Sequence, residues 1–416
     1  MFALVDCNAC YASCEQIFRP DLRGLPVVVL SNNDGCVVAR NNEAKALGIP
    51  AIAPYFKVQH LLQQHQVHVF SSNYELYGDI SRRVMNTLAR FTPHLEIYSI
   101  DEAFLDLAGI RDLREHGLAI KTTVWREQRM PVCVGIAPTK TLAKLANYIA
   151  KRSRKLGGVC VIKELAQWRP LFERIPVDEV WGVGAKLANR LQDQGIYTVA
   201  DLKQQDPNYI QREYSVVLAR TVSELKGKDC IPLESQPVPR QEIFRSRSFG
   251  QKITEQADLL EAISSYAAKA AAALRRQQSL TQCVYITVQT SRYAQHPYYN
   301  SSTQALGHPT NDTRVITQAA IAAAKRLFIE GYAYNKAGVG LLELSHSAQT
   351  QGDLFGHSQP LASKALMEVL DAANNKYGHN ALFLAREATE QKWQMARRFK
   401  SPAYTTRISE VPVVRL

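Results

Sequence analysis

The feature that most constrains this chain is an adjacent acid pair, Asp101 and Glu102, set between two apolar runs. The flanking segments 96–100 and 103–106 are rich in aliphatic and aromatic residues and predict two short strands that meet at a tight acidic corner. Neighbouring carboxylates repel each other in apolar surroundings, so a cation that neutralises them is favoured. Mg²⁺ suits the position because it is held by one or two carboxylates together with substrate phosphates. An exposed hairpin tip with solvated charges is the alternative that these residues leave open.

A third acid, Asp6, follows the apolar N-terminal run 1–5. This run predicts a strand, and site residues of mixed α/β folds commonly lie where strands end. Asp6, Asp101 and Glu102 can then converge from two strand ends. A two-metal site for phosphoryl or nucleotidyl transfer needs this convergence, because carboxylates bridge two ions that align the attacking and leaving oxygens.

Three segments, in this order, resemble the catalytic motifs of Y-family translesion DNA polymerases: 6–15 (DCNACYASCE), 99–104 (SIDEAF) and 140–146 (KTLAKLA). The resemblance is closest to the bacterial UmuC-type catalytic subunits and runs from Met1 to the C-terminus. It implies an α/β multidomain, right-hand polymerase with an α+β palm, small fingers, a helical thumb and a βαββαβ-like little finger. The implied activity is error-prone, template-directed addition of deoxynucleotides to a primer 3′-hydroxyl in SOS-type damage tolerance.

Composition and the resemblance together predict the domain boundaries. The stretch 229–241 is rich in proline and polar residues and is the expected linker. The expected domains are the palm (1–20 and 76–164), the fingers (21–75), the thumb (165–228), the little finger (242–345) and a C-terminal partner-binding region (346–416).

The resemblance also implies roles at the catalytic centre. Asp6, Asp101, Glu102 and the backbone carbonyl of Cys7 would hold two Mg²⁺ ions, with a deoxynucleoside triphosphate as substrate. Tyr11 corresponds to the steric gate, the ring that leaves no room for a 2′-hydroxyl.

Cys10 departs from the family, which usually has an aromatic residue beside the gate, so a looser floor of the nucleotide pocket is expected. Cys7, Cys10 and Cys14 resemble a metal knot, yet Cys10, Cys14 and Ile17 recur at the i, i+4, i+7 spacing of a buried helix face, with no fourth ligand nearby. Small buried apolar side chains are therefore expected. Eight cysteines in 416 residues do not form a disulfide scaffold.

Between residues 132 and 162 the chain has no acid and many bases. On a predicted helix 139–151, Lys140, Lys144 and Lys151 form one stripe opposite an apolar face. A solvated face usually mixes charges of both signs, so phosphate contact is favoured over simple solvation.

The resemblance places Lys151 at a triphosphate-binding lysine. Lys45 and Asn42 fall where the family usually has its arginine and tyrosine phosphate contacts, and Arg40 competes with them. A lysine keeps the charge and loses the bidentate fork of arginine. Ordinary solvated helix charges are the alternative for these positions.

The charge balance predicts a polyanionic partner. Lys and Arg number 50 against 38 Asp and Glu, a net charge of +12, so nucleic acid is the first expectation and an acidic membrane surface the second. No apolar run approaches the roughly 20 residues needed to span a bilayer. The N-terminus also lacks the basic start of a signal peptide. A cytoplasmic protein, associated with the nucleoid when active, is expected.

Two further segments are expected to hold DNA. Residues 180–202 resemble a helix-hairpin-helix, in which Gly182, Gly184 and Lys186 would approach a DNA phosphate without reading sequence. A glycine turn between packed helices accounts for the same residues. Beyond the linker, two β-α-β units separated by a long polar loop, 291–312, are expected, with Arg245 and Arg247 facing DNA phosphates.

The C-terminal region carries the expected protein contacts. Gln351, Leu354 and Phe355 stand in a short polar stretch (QGDLF) that resembles the bacterial sliding-clamp-binding motif. The basic segment 393–407 is expected to face a partner. The family implies a UmuD′-type accessory dimer and RecA as further partners, besides primer-template DNA and the β sliding clamp.

Two other classes of protein are alternatives to a polymerase. A non-catalytic adaptor that binds DNA and the clamp would keep the basic surface and the clamp peptide, but would not need all three carboxylates. A nucleotide cyclase could use paired acids, but would have no use for a thumb-like unit.

Overall fold

The computed structural model describes residues 1–234, 238–349, 361–378, 381–384, 393–411 and 413. The chain divides into two compact units, Met1–Pro237 together with Arg398–Leu416, and Val238–Arg397. The boundary at 237/238 falls inside the predicted linker. No helix in the described ranges combines the length and the apolar composition that crossing a membrane requires.

The first unit contains two sheets and a series of helices. Its described strands and helices are, in chain order, β1 (Phe2–Cys7), α1 (Cys10–Phe18), β2 (Val27–Leu30), β3 (Val37–Arg40), α2 (Asn42–Ala46), α3 (Tyr55–Gln64), β4 (His68–Ser71), α4 (Tyr74–Leu88), β5 (Leu95–Ile97), β6 (Glu102–Asp106), α5 (Leu113–Gln128), β7 (Val132–Ala137), α6 (Lys140–Arg152), β8 (Val159–Val161), α7 (Arg169–Phe172), α8 (Ala185–Gln192), α9 (Val199–Gln204), α10 (Pro207–Glu213) and α11 (Val216–Leu225).

Strand β1 is the centre of a five-stranded sheet with the order β5-β6-β1-β7-β8. It pairs antiparallel with both β6 and β7, and all six of its residues are buried. Alternate residues of a strand point to opposite faces, so Leu4 packs into a core shared with α6, and Val5 packs into a core shared with α1, α4 and α5. An apolar run that serves two cores places Asp6 at the end of the central strand.

Helix α6 lies very close to β7. A Cβ atom on Gly135 would stand 2.1 Å from the backbone nitrogen of Asn147, so only glycine permits this approach. The Asn147 side-chain amide donates hydrogen bonds to the carbonyls of Leu4 at 3.2 Å and Cys133 at 2.9 Å. These contacts hold the lysine-bearing helix over the strands that carry the acids.

A three-stranded sheet with the order β3-β2-β4 forms a smaller layer of the first unit. Strand β2 pairs antiparallel with β3 and parallel with β4, and all four of its residues are buried. Val58 and Leu62 of α3 and Ala44 of α2 pack in the same core as Val28. Helices α7 to α11 extend the larger core on the α6 side.

Residues 398–411, here called the C-terminal strap, pack in the first unit. The strap's Tyr404 ring stacks on Phe18 of α1 with centroids 4.6 Å apart. The prediction that 393–407 faces a partner is wrong for Trp393, Ser401 and Ala403, which are buried against the chain itself. The prediction considered only the positive charge of this segment and overlooked the apolar and hydrogen-bonding residues that pack against the rest of the chain.

The second unit is a four-stranded antiparallel sheet with the order β11-β10-β12-β9. Its described elements are β9 (Ile243–Ile253), α12 (Gln256–Arg276), β10 (Ser279–Thr290), β11 (Tyr299–Thr310), α13 (Thr313–Leu327), β12 (Tyr334–His346) and α14 (Leu361–Tyr377). Helices α12 and α13 share one core with the sheet. The βαββαβ order is confirmed.

The prediction of a long loop over 291–312 is wrong, because β11 occupies most of it. Within the described ranges this strand lies at the edge of the sheet and pairs with β10 alone. An edge strand needs few apolar residues and tolerates the glycine and proline at 307 and 309. Its polar composition was therefore mistaken for that of a loop.

Candidate active site

The three acids predicted from the sequence lie at one end of the neighbouring strands β1 and β6. Asp6 on β1 lies directly opposite Glu102 at the start of β6. Asp101 precedes Glu102, and its carbonyl accepts a hydrogen bond from the backbone N–H of Cys7 at 2.8 Å. The two strand ends therefore bring three carboxylate residues and the Cys7 backbone into one neighbourhood.

Ser99 holds the acidic corner in place. Its hydroxyl donates to Asp101 Oδ1 at 2.5 Å and accepts from the backbone N–H groups of Asp101 at 3.2 Å and Glu102 at 3.0 Å. Sequence reasoning missed this role, although serine hydroxyls are known to form turns by hydrogen bonding to the backbone two residues on. The Ser99 hydroxyl thus accepts hydrogen bonds from the backbone N–H groups of both Asp101 and Glu102, and this holds the shape of the corner.

Two lysines of α6 face two of the acids. Lys151 Nζ lies 2.6 Å from Asp6 Oδ2, and Lys144 Nζ lies 2.9 Å from Glu102 Oε2. They are about two helical turns apart, so they lie along the same side of the helix. The predicted lysine stripe therefore faces the acids at Lys144 and Lys151.

The pKa of Asp6 is raised to about 7: burial is the largest cause and Glu102 adds to it, while Lys151 acts in the opposite direction. A carboxyl group in this state favours a proton or a further positive charge beside it. One lysine does not compensate the buried negative charge.

The residues suit a hard divalent cation in their chemistry. No three His, Cys, Asp or Glu side chains in the described ranges already form a metal-binding cluster. However, Asp6 and Glu102 lie side by side, Asp101 is adjacent in sequence, and burial raises the pKa of Asp6 even with Lys151 beside it. All-oxygen donor sets of this kind are those that Mg²⁺ prefers.

Lys140 departs from the predicted stripe. Its side chain is 1% exposed, forms an ion pair with Glu96 and donates to the carbonyl of Pro232 at 2.8 Å. It is therefore unable to contact a phosphate. The helical projection gave the direction of Lys140 around the helix axis. It gave no information on the residues that pack over the first turn of α6.

Lys144 lies in an aromatic surround that the sequence did not reveal. Its Nζ is 4.5 Å from the ring centroid of Tyr98 and 5.3 Å from that of Trp181. The Trp181 Nε1–H donates to the Tyr98 hydroxyl at 3.2 Å. Cation–π contacts of this type fix the ammonium beside Glu102.

Tyr11 lies on the first turn of α1 and is half-buried. Its ring stacks on Tyr77 with centroids 4.7 Å apart and 15° between the planes, and meets the edge of Tyr74 at 5.9 Å. Burial raises the pKa of Tyr11 to about 12. The aromatic support comes from α4, while Cys10 is buried in the core of the unit. Sequence reasoning missed Tyr74 and Tyr77.

The candidate triphosphate contacts lie on or beside α2. Asn42 opens that helix, Lys45 lies in its last turn, and Arg40 ends β3, where its guanidinium donates to the carbonyl of Ile49. Burial lowers the pKa of Lys45, and repulsion from Arg40, Lys151 and Arg152 lowers it further. Positive charges from β3 and α6 therefore act on Lys45 of α2.

The residues predicted to contact a DNA phosphate, Gly182, Gly184 and Lys186, lie at the start of α8. Gly182 has φ of +88°, a conformation that favours glycine, and Gly184 is the N-cap of α8. Lys186 is exposed in the first turn of that helix. The exposed backbone at this helix start is consistent with the helix-hairpin-helix resemblance.

In the second unit, Arg245 and Arg247 both lie on β9. Burial lowers the pKa of Arg245, and Arg240, Arg276 and Arg247 lower it further by repulsion. This is a cluster of like charges. Gln351, Leu354 and Phe355, the predicted clamp contacts, lie outside the described residues.

Solved structures with the same architecture are Y-family DNA polymerases. A Y-family DNA polymerase chimera of Dbh and Dpo4 aligns with a TM-score of 0.66 at 23% identity and covers 83% of this chain and 100% of the chimera. DinB from Sulfolobus solfataricus aligns with a TM-score of 0.52 at 23% identity and covers 82% of this chain and 98% of DinB. The predicted Y-family polymerase fold is confirmed.

Sequence comparison identifies the family. The model of the impB/mucB/samB family matches residues 5–148, the model of its C-terminal domain matches 240–354, and a domain of unknown function, DUF4113, matches 364–414. Protein UmuC of Salmonella typhimurium is 47% identical and covers 99% of both chains, and Protein MucB of Escherichia coli is 43% identical and covers 100% of both chains. The chain belongs to the impB/mucB/samB family, and the predicted UmuC-type relationship is confirmed.

Proposed function

We propose that this chain is a DNA-directed DNA polymerase that carries out error-prone translesion synthesis, with Asp6, Asp101 and Glu102 as its metal-binding acids. The observation that carries the proposal is the position of Asp6 opposite Glu102, with Asp101 adjacent and lysines of α6 facing the acids. A non-catalytic adaptor would have no use for Asp6 and Glu102 placed side by side in a partly buried site with Asp101 next in sequence.

Asp6, Asp101, Glu102 and the carbonyl of Cys7 would hold two Mg²⁺ ions, which supply activation of the primer 3′-hydroxyl and neutralisation of the charge on the leaving pyrophosphate. The chain's own part is positioning. Ser99 holds the backbone of both acids of the hairpin, and the β1–β6 pairing sets the distance between Asp6 and Glu102. Preorganised charge of this kind needs no rearrangement when the reaction occurs.

The triphosphate would be held by positive charges from three elements. Burial lowers the pKa of Lys45 of α2, and repulsion from Arg40 of β3 and Lys151 of α6 lowers it further; Asn42 opens the same helix α2. A polyanion relieves the repulsion among such cations, so binding the deoxynucleoside triphosphate is favourable here. Lys151 would then exchange its partner Asp6 for a phosphate.

Tyr11 would act as the steric gate, because its ring is held flat against Tyr77 and leaves little freedom to move aside for a 2′-hydroxyl. DNA would be held through its phosphates. Gly182, Gly184 and Lys186 would contact the backbone at the start of α8, and Arg245 and Arg247 would do so from β9.

The polymerase would consist of a palm (1–20 and 76–164), fingers (21–75), a thumb (165–228), a linker (229–241), a little finger (242–345) and a C-terminal partner-binding region (346–416). Through Gln351, Leu354 and Phe355 the chain would bind the β sliding clamp. A UmuD′-type accessory dimer and RecA would complete the active assembly, which would act in the cytoplasm at the nucleoid.

Primer extension tests this proposal. Wild-type chain, Asp101→Asn and a control, Asp229→Asn, are compared on undamaged and abasic templates with Mg²⁺, the clamp, the accessory dimer and activated RecA. Asp229 is an exposed acid of the same unit, so it matches the change from carboxylate to amide away from the site. Extension by wild type and Asp229→Asn is expected, with a loss of about 100- to 1,000-fold in Asp101→Asn. Equal extension by all three chains would refute the role of Asp101.

A further inference from the structure

The candidate steric gate rests on a ring that is itself held from elsewhere. Tyr11 stacks on Tyr77, which is fully buried in α4. The orientation of the Tyr11 ring therefore follows that of Tyr77. Whatever fixes Tyr77 also fixes the surface that a nucleotide sugar would meet.

Tyr77 is fixed by a buried carboxylate. Its hydroxyl donates to Glu15 Oε1 at 2.6 Å. Glu15 lies four residues after Tyr11 on α1, so the two side chains share a helix face. Glu15 is fully buried, and among the residues that the structure describes its Oε2 atom has no hydrogen-bond partner. A buried carboxyl group with so few donors depends strongly on each of them.

The other donor to Glu15 comes from the C-terminal strap. The Ser401 hydroxyl donates to Glu15 Oε1 at 3.0 Å and accepts from the Asn73 side-chain amide at 3.0 Å. Asn73 is the N-cap of α4 and also donates to the carbonyls of Ser401 at 3.1 Å and Pro402 at 3.2 Å. One strap residue thus joins the start of α4 to the buried carboxyl group of α1.

The strap is seated firmly on either side of Ser401. The backbone N–H of Arg398 donates to Asp34 at 2.9 Å, and that of Phe399 donates to the Ser71 hydroxyl at 2.9 Å. The Tyr404 ring stacks on Phe18 at the end of α1. The position of Ser401 is therefore determined by contacts that do not involve the gate.

We propose that Ser401 is a positioning residue for the steric gate: acting through Glu15 and Tyr77, the C-terminal strap fixes the Tyr11 ring and sets the discrimination between deoxyribonucleotides and ribonucleotides. The proposal rests on the polymerase function and on the gate role of Tyr11 proposed above. It gives a role to part of the segment 364–414, which matches a domain of unknown function.

The physical reason is the shortage of donors around Glu15. Without the Ser401 hydroxyl, Glu15 loses one of the two hydrogen bonds found for it, and its carboxyl group rotates to seek another donor. Tyr77 follows because its hydroxyl is tied to the same oxygen. The stacked Tyr11 ring then loses its fixed plane, and a 2′-hydroxyl meets a surface that yields.

The test measures single-nucleotide insertion of dCTP and of CTP by the full-length chain with primer-template, Mg²⁺ and the partners named above. The quantity compared is the ratio of the two kcat/KM values. Ser401→Ala removes the hydroxyl, Ser401→Thr retains it, and Tyr77→Phe keeps the stacked ring without its tie to Glu15. Arg407→Ala alters an exposed residue of the strap that pairs with Glu410 and serves as the matched control. Tyr11→Ala measures the gate itself.

Ser401→Ala and Tyr77→Phe are each expected to lower the dCTP-to-CTP ratio about tenfold, the equivalent of one net hydrogen bond. Ser401→Thr and Arg407→Ala should keep the wild-type ratio, and Tyr11→Ala should lower it most. Melting temperatures of all variants are measured alongside. A merely structural role would slow both insertions equally and leave the ratio unchanged.

An unchanged ratio in both Ser401→Ala and Tyr77→Phe, with a lowered ratio in Tyr11→Ala, would overturn the strap proposal and leave the polymerase function standing. An unchanged ratio in Tyr11→Ala would overturn the gate and the strap proposal with it. If the wild-type chain inserted no dCTP, the proposed function itself would fall.

Discussion

The first turn and the later turns of α6 carry the same residue type in different surroundings. Lys140 has a side chain that is 1% exposed and pairs with Glu96, which is 9% exposed. Lys151 has a side chain that is 37% exposed and pairs with Asp6. In the first pair, the Lys140 ammonium also contacts the Phe104 ring and the Pro232 carbonyl and is shielded from solvent. In the second pair, the Lys151 side chain is exposed to solvent.

This difference separates structural from functional charge. Removing one partner of a sealed pair leaves an uncompensated charge that water cannot reach. A pair that is open on one side can exchange its lysine for another cation at small cost. The helix therefore uses Lys140 to hold the fold and keeps Lys144 and Lys151 beside the acids of the site.

The largest expected effect on stability comes from Lys140→Met, compared with Lys151→Met as its matched control. The first change leaves Glu96 buried without its cation and should lower the free energy of unfolding by about 3–5 kcal/mol. The second should lower it by less than about 1 kcal/mol, because Asp6, with a pKa already near 7, can take up a proton. Urea denaturation of both variants measures the difference. Equal losses would show that burial does not distinguish the two pairs.

A buried carboxyl group that accepts hydrogen bonds from the hydroxyls of Tyr77 and Ser401 extends the comparison. Burial raises the pKa of Glu15 from 4.5 to about 7, although Tyr77 and Ser401 lower it by hydrogen bonding. Between these pH values the folded chain keeps a proton that the unfolded chain has lost. Stability should therefore fall as pH rises from about 4.5 to about 7, with the full loss reached above the folded pKa.

The size of the Glu15 contribution is roughly 3 kcal/mol, at about 1.4 kcal/mol per unit of pKa. Urea denaturation from pH 4.5 to 8, without Mg²⁺, compares wild type with Glu15→Gln. Asp6 contributes with the same sign in both chains, so the difference between them isolates Glu15. A decline of stability that is equally steep in both chains would show that Glu15 ionises as easily in the folded chain as in the unfolded one.

The sequence predicted those features that depend on local pattern. Apolar runs beside Asp6 and the pair Asp101–Glu102 were enough to place three acids at adjacent strand ends, and helical periodicity placed the lysines along α6. These inferences succeed because strands and helices have fixed repeats. The polar edge strand β11 escaped because an edge position relaxes the requirement for apolar residues.

Features that depend on distant packing could not be predicted. Nothing near Lys140 in the sequence shows that Glu96 and Pro232 enclose it. Likewise, Ser401 is 386 residues from Glu15, to which it donates. A single sequence carries no measure of such long-range proximity, so the buried ion pair and the support of Tyr11 appeared only with the tertiary structure.

The smallest expected effect tests the open side of the comparison directly. Lys151→Met should raise the KM for the incoming deoxynucleotide about tenfold, near 1.4 kcal/mol, because it removes one charge-assisted contact to a phosphate. An unchanged kcat would indicate that the contact is equally strong in the ground state and the transition state.

Lys155→Met, a change at an exposed lysine just beyond α6, should leave KM unaltered. Steady-state insertion kinetics on an undamaged primer-template supply both constants. If the two variants raise KM equally, the effect comes from general positive charge rather than from the position of Lys151 beside Asp6, and the division of α6 into a structural first turn and a functional remainder would hold only for stability.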